Sequence, residues 1–167
     1  VRRRARASPA STGTIAPFLS IGSDLRALNE TVRLASDEGG LSNEFRVEEA
    51  NVYLTAVLLA DRLSVHLDER LAPGGAQNRE AFILYRPKVG GVWFKAGRFF
   101  PPFGLRIFDD GAFVRTATGF SFQTPDEGIE VGYEPGKSSF ALSATNGAGG
   151  GSENDTSKQF SLQAYQL

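Results

Sequence analysis

Arg62-Leu63-Ser64-Val65-His66-Leu67-Asp68-Glu69-Arg70 carries the cleanest alternation in the chain. Leu63, Val65 and Leu67 fall on one phase, and Arg62, Ser64, His66 and Asp68 on the other. Side chains of a β-strand point alternately to its two faces, so this pattern reads as a strand with one apolar and one polar side. The same alternation recurs on both sides of it. Glu49 to Leu58 sets Ala50, Val52, Leu54, Ala56 and Leu58 against Glu49, Asn51, Tyr53, Thr55 and Val57, which points Glu49 to the same side as Asp68, Glu130 and Glu134. Gly128 to Glu134 sets Ile129, Val131 and Tyr133 against Glu130, Gly132 and Glu134. Ser139 to Thr145 and Gln159 to Tyr165 repeat the pattern, with Phe140, Leu142, Phe160 and Leu162 on the apolar phase.

Three further strands are less regular. Glu80 to Arg86 is apolar on both faces in its middle. Val92 to Phe100 alternates until Arg98, which falls on the apolar phase; a bulge or a membrane boundary would each explain it. Ile15 to Arg26 reads as the weakest strand, with Pro17 near its start. No stretch carries a helical period over a useful length.

The connections alternate in length. A long stretch around Ser36 to Gly40 is followed by a tight turn at Ala60-Asp61, then by a loop over Ala72 to Asn78. A short turn over Pro87 to Gly91 precedes the long segment Pro101 to Pro125. A tight turn at Pro135-Gly136-Lys137 precedes the glycine-rich loop Gly147 to Ser157. Bacterial outer-membrane barrels have short turns at one end and long loops at the other. A soluble β-sandwich is the competing reading, but it has no reason to alternate its loop lengths or to keep one face of most strands polar. The expected fold is therefore all-β: a transmembrane antiparallel up-and-down β-barrel with about eight strands in this chain. Residues 1–14, opening on Val1-Arg2-Arg3-Arg4-Ala5-Arg6, read as a disordered tail, and 15–167 as the barrel domain.

Composition narrows the chemistry. The formal net charge is -1 over 167 residues, without the basic excess of a nucleic-acid protein. Cysteine is absent, which removes disulfides, zinc-thiolate sites and thiol catalysis. No apolar run reaches the ~20 residues of a membrane helix, a test that barrel strands escape because each is only half apolar.

The stretch Lys95-Ala96-Gly97-Arg98-Phe99-Phe100-Pro101-Pro102-Phe103-Gly104, continuing through Phe120, resembles porins of the phosphate-selective porin O/P type. Asp126 to Tyr133 and Thr145-Asn146-Gly147 extend the likeness more loosely, and together it covers roughly 51–167. It implies a pore of about 16 strands, usually a homotrimer, in the bacterial outer membrane. On that basis the chain is expected to be the N-terminal part of a larger barrel; the alternative is a small closed barrel of about eight strands, filled by its own side chains.

The expected activity is passive diffusion of small hydrophilic solutes or anions, including phosphate, through a water-filled channel. The alternative is a structural or interaction barrel, such as a sheath for an electron-transfer partner. Lys95, Arg98, Arg106, Asp109, Asp110 and Arg115 are candidates for the pore constriction. Arg62, His66, Asp68, Glu130 and Glu134 are candidates for the lumen face. The apolar side chains of 101–125 suggest that this segment packs against the inside of the wall. Trp93, Tyr85, Phe94, Phe99, Phe100 and Phe103 near strand ends suggest an aromatic girdle.

Neither an enzyme, a metal site nor a cofactor is expected. His66 lacks a nucleophile-elbow sequence nearby. Asp109-Asp110 and Asp126-Glu127 lack the alternating oxygen ligands of a calcium loop. The run Gly147 to Gly151 lacks the Gly-Lys-Ser/Thr ending of a phosphate loop.

Overall fold

The computed structural model describes residues 11–16, 18–33, 41–103, 124–149, 151, 153 and 155–166, with the backbone alone for 11–16 and 33. They form one sheet of nine strands: β1 (Ser11–Ala16), β2 (Leu19–Arg33), β3 (Leu41–Leu58), β4 (Leu63–Ala72), β5 (Gln77–Tyr85), β6 (Val92–Phe99), β7 (Asp126–Tyr133), β8 (Ser138–Thr145) and β9 (Gln159–Gln166). Every strand pairs antiparallel with the next in sequence order, and the sheet is not closed. No helix occurs among the described residues. None is therefore long and apolar enough to cross a membrane, which says nothing about strands.

The seven expected strands from Glu49 onward are all present, with modest changes of boundary. The N-terminal part differs. Ile15 to Arg26 is not one strand, because β1 ends at Ala16 and β2 begins at Leu19, which pair with each other, with Phe18 in the turn between them. β1 also begins inside the stretch expected as a tail. β2 and β3 run further than the alternation indicates, pairing out to Arg33 and Leu41.

The connections β1–β2, β3–β4, β5–β6 and β7–β8 at one end are short. At the other end, β6–β7 and β8–β9 are long, but β4–β5 is only residues 73–76, because β4 continues to Ala72. In the β3–β4 turn, Leu59, Ala60 and Asp61 all have positive φ.

Burial is inverted relative to a soluble domain. Among the described residues, the nearly inaccessible apolar ones include Trp93, Phe99, Phe100, Pro102 and Ala141. The nearly inaccessible polar or charged ones include Glu49, Asn51, Asp68, Arg79, Lys95, Asp126, Glu130, Ser143 and Thr145. The apolar phase is the exposed one: Ile129, Leu142, Phe160 and Leu162 are 63%, 47%, 71% and 68% exposed.

Two glycines let the buried face pack. Gly97 has φ +129°, and a Cβ there would stand 2.3 Å from the Ala81 carbonyl oxygen. Gly132 faces its cross-strand partner Trp93, whose ring carbons would lie 2.1 Å from a Cβ. The indole occupies the space that a side chain at 132 would need, as aromatic residues do opposite strand glycines.

Candidate pore-lining face

Three bulges lie near one level of the sheet and build its ionic cluster. The register shifts between Arg26 and Ala27 on β2, between Ala50 and Asn51 on β3, and between Asp68 and Glu69 on β4. The last leaves Arg79 as the extra residue of β5, between Asn78 and Glu80. A bulge re-aims a side chain that simple alternation would send elsewhere. Arg79 turns to the buried face, reaches past β4, and donates from Nη1 to Glu49 Oε1 on β3 at 2.5 Å. The same nitrogen lies 3.4 Å from Asn51 Oδ1, and Nε lies 3.9 Å from Asp68 Oδ2. Arg26 forms an ion pair with the other oxygen of Glu49. Asn51 donates to Asp24 Oδ1 at 2.7 Å. The guanidinium of Arg79 also sits over the Phe100 ring, 5.6 Å from its centroid.

A second cluster centres on Lys95. Its Nζ donates to Glu130 Oε2 at 3.0 Å, and Lys95 and Glu130 are direct partners across β6 and β7. The rings of Phe82, Trp93 and Phe99 surround the ammonium at 5.2, 5.3 and 5.0 Å. Cation–π attraction thus supplements the ion pair from three directions. Trp93 Nε1 donates to Glu134 Oε1 at 3.1 Å, and Arg86 lies 3.6 Å from the same oxygen. His66 Nδ1 and Thr55 Oγ1, partners across β3 and β4, are 2.9 Å apart, and the imidazole stacks 5.0 Å from Phe82.

Beyond Lys95 and Glu130 the buried face loses its charge. Ser139, Ala141, Ser143 and Thr145 on β8 and Ser161 on β9 are small, and Ser143 and Ser161 share a hydrogen bond at 2.5 Å. Asp126 closes the long-loop end of this half: Oδ1 accepts from Glu127 N at 2.9 Å and Oδ2 from Gly147 N at 2.6 Å.

Of the residues expected on the lumen face, His66, Asp68 and Glu130 lie on the buried polar face. Glu134 follows directly at its rim, and Arg62 is exposed in the turn before β4. Of the constriction candidates, Lys95 shares the buried face and Arg98 does not. No register shift occurs in β5–β6 or β6–β7, so no bulge re-aims Arg98. It stays in phase with Phe94 and Ala96 on the outer face, 3.7 Å from its partner Glu127. Arg106, Asp109, Asp110 and Arg115 lie outside the described residues, as does most of 101–125.

The expected girdle residues divide. Tyr85 and Phe94, direct partners, are 41% and 50% exposed on the outer face. Trp93, Phe99 and Phe100 instead fill the inner side, because their phase is that of Lys95 or they follow the strand end. Tyr133 and Phe140, also direct partners, join Tyr85 and Phe94 near the short-turn end. Period-two reading already held that signal. Glu49 shares the polar phase expected to face the lumen, but Arg79, Asn51 and Arg26 were absent from the expected site, and only the bulges bring the four together.

Among the described residues the face offers fixed charges of both signs and hydroxyl groups, with aromatic rings packed around Lys95 and Arg79. The chain was compared with protein-family models, with curated proteins and with solved structures, and none of the three returned a match.

Proposed function

We propose that this sheet is part of the wall of a water-filled bacterial outer-membrane pore, through which small hydrophilic solutes pass by diffusion. The observation that carries this reading is the inside-out burial: charged and hydroxyl side chains line the buried face and large apolar ones the exposed face. In water such an outer surface would be an aggregation hazard, whereas in lipid it is the favoured one. The cross-strand aromatic pairs near the short-turn end and the Arg98–Glu127 pair near the long-loop end suit the two borders of an apolar band.

Strand parity favours a larger barrel over a small closed one. In an antiparallel sheet of nine strands, β1 and β9 run in the same direction. Joining them would make a parallel contact in an otherwise antiparallel wall. Bilayer hydrocarbon leaves no open edge unsatisfied, so closure calls on further strands. A phosphate-selective porin-like homotrimer fits this reading. An anion preference would rest on Arg106 and Arg115, because Lys95 and Arg79 are each matched by a carboxylate.

The absence of cysteine makes the test clean. Single cysteines at 129, 130, 131, 142 and 143, labelled with a fluorophore after refolding into phosphatidylcholine vesicles, should show period-two quenching by a lipid-borne quencher. Positions 129, 131 and 142 should be quenched and 130 and 143 spared. Conductance of the full protein in a planar bilayer then reports the channel. Uniform labelling behaviour, or a protein that stays monodisperse without detergent, overturns the reading.

A further inference from the structure

The β2–β3 hairpin outruns its neighbours. Among the described residues, β1 pairs with β2 only as far as Ser11 opposite Ser23, and β4 with β3 only as far as Ala72 opposite Ala50. Beyond those rows β2 and β3 pair with each other alone, out to Arg33 opposite Leu41. A ribbon of two strands has little stability of its own, and its edge presents a row of backbone donors and acceptors. We infer that the edge of β2 from Asp24 to Arg33 is a docking surface for residues 1–10 of the same chain, which continue β1 as a third strand of the ribbon. Those residues lie outside the described ones. The inference stands apart from the membrane reading, because it rests on register and charge alone.

Continued one for one from Ser11 and Ser23, the pairing sets Ala10 opposite Asp24, Arg4 opposite Glu30 and Val1 opposite Arg33, so residues 1–10 span this edge. β2 holds no extra residue there, since the bulge beside Arg26 and Ala27 lies on β3, at Glu48. Asp24, Arg26, Leu28 and Glu30 form the less exposed phase of β2. Arg2, Arg4, Arg6, Ser8 and Ala10 therefore fall on that inner phase, and Val1, Arg3, Ala5, Ala7 and Pro9 on the outer one. On the inner phase Glu30 stands opposite Glu44, with Arg46 3.4 Å from the first and 4.0 Å from the second. Arg4 meets Glu30 from its other side, and Arg2 and Arg6 flank it on the diagonals, within reach of long side chains. Ser8 meets Arg26 and Ala10 meets Asp24, so no like charges face each other. A slip of one residue in either direction would send Arg2, Arg4 and Arg6 to the outer phase, away from Glu30. Proline is tolerated on an edge strand, where Pro9 costs at most one ladder bond.

The absence of native cysteine allows a direct test in the full protein folded in detergent micelles. Ala7→Cys with Ala27→Cys places two thiols directly opposite on the outer phase, at a spacing that a disulfide spans. Copper–phenanthroline oxidation should join them within one chain at least tenfold faster than Ala5→Cys with Ala27→Cys, which sit on a diagonal. Glu30→Lys added to the first pair should slow the joining at least fivefold, Arg4→Glu should do the same, and the two changes together should restore the rate. Arg4→Glu leaves the described strands untouched, so it carries the charge test even where Glu30→Lys does not fold. Equal rates for the opposite and diagonal pairs, or a rate indifferent to Arg4→Glu, overturn the docking. A cross-linked species of twice the chain mass overturns it as well, in favour of a second copy on the same edge.

Discussion

The β2–β5 half and the β5–β9 half of this sheet solve the same problem by different means. Both bury a polar face. In β2–β5 the register breaks at every strand pair, and the breaks gather Arg26, Glu49, Asn51, Asp68 and Arg79 into one network. In β5–β9 the four pairings run without a shift, and the buried charges are the matched pair Lys95–Glu130, among glycine, serine and aromatic rings, and Asp126 at the long-loop end, held by two backbone amides. Regular alternation thus suffices where side chains are small or neutralised in pairs. Where several charges must meet, the backbone has to depart from its period.

The largest expected effect tests whether the network is shared. Removing one partner of a buried ion pair costs ~3–5 kcal/mol, because the other charge is left without compensation. Arg79→Met should cost that much in urea unfolding from micelles, and adding Glu49→Gln should recover only part, since Asp68 remains. Lys95→Met should cost a similar amount, but Lys95→Met with Glu130→Gln should return close to the parent. Equal recovery in both halves would erase the distinction between a network and a pair.

The next contrast is between the faces. Val65→Arg should destabilise the vesicle-folded protein by ~2–4 kcal/mol, and Ser64→Arg, one residue away on the polar phase, by much less. Equal costs would sink the assignment of lipid and lumen sides.

A smaller effect belongs to the regular half alone. Gly132→Ala drives a methyl group into the Trp93 ring and should cost ~1–3 kcal/mol, the range for overpacking. It should also change the near-ultraviolet circular dichroism of the single tryptophan. An unaltered spectrum would mean that the indole does not lie across Gly132.

The smallest concerns the rim. Arg98→Gln removes a partly exposed pair and should cost ~0–1 kcal/mol. A loss as large as that of Arg79→Met would put Arg98 back among the buried charges.

The strands from Glu49 onward, their facing and their polar side are legible in the sequence, because alternation of period two is local and each strand records it independently. Leu63-Ser64-Val65-His66 and Phe140-Ala141-Leu142-Ser143 needed no tertiary information to be read. The same alternation also placed Lys95, His66, Asp68 and Glu130 on one face. Arg98, a constriction candidate, stands on the outer face with Phe94 and Ala96, as its own phase indicates, and the stretch Ile15 to Arg26 divides between β1 and β2. Which charges meet depends on strand pairing that no local pattern carries. Arg79 and Glu49 are thirty positions apart in sequence, and their contact depends on a bulge in each neighbouring strand pair. A bulge inserts one residue without any change in composition, so nothing local announces it; its position is fixed by which cross-strand partners gain from the shift. The same holds for Trp93 and Gly132, whose packing exists only once β6 lies beside β7.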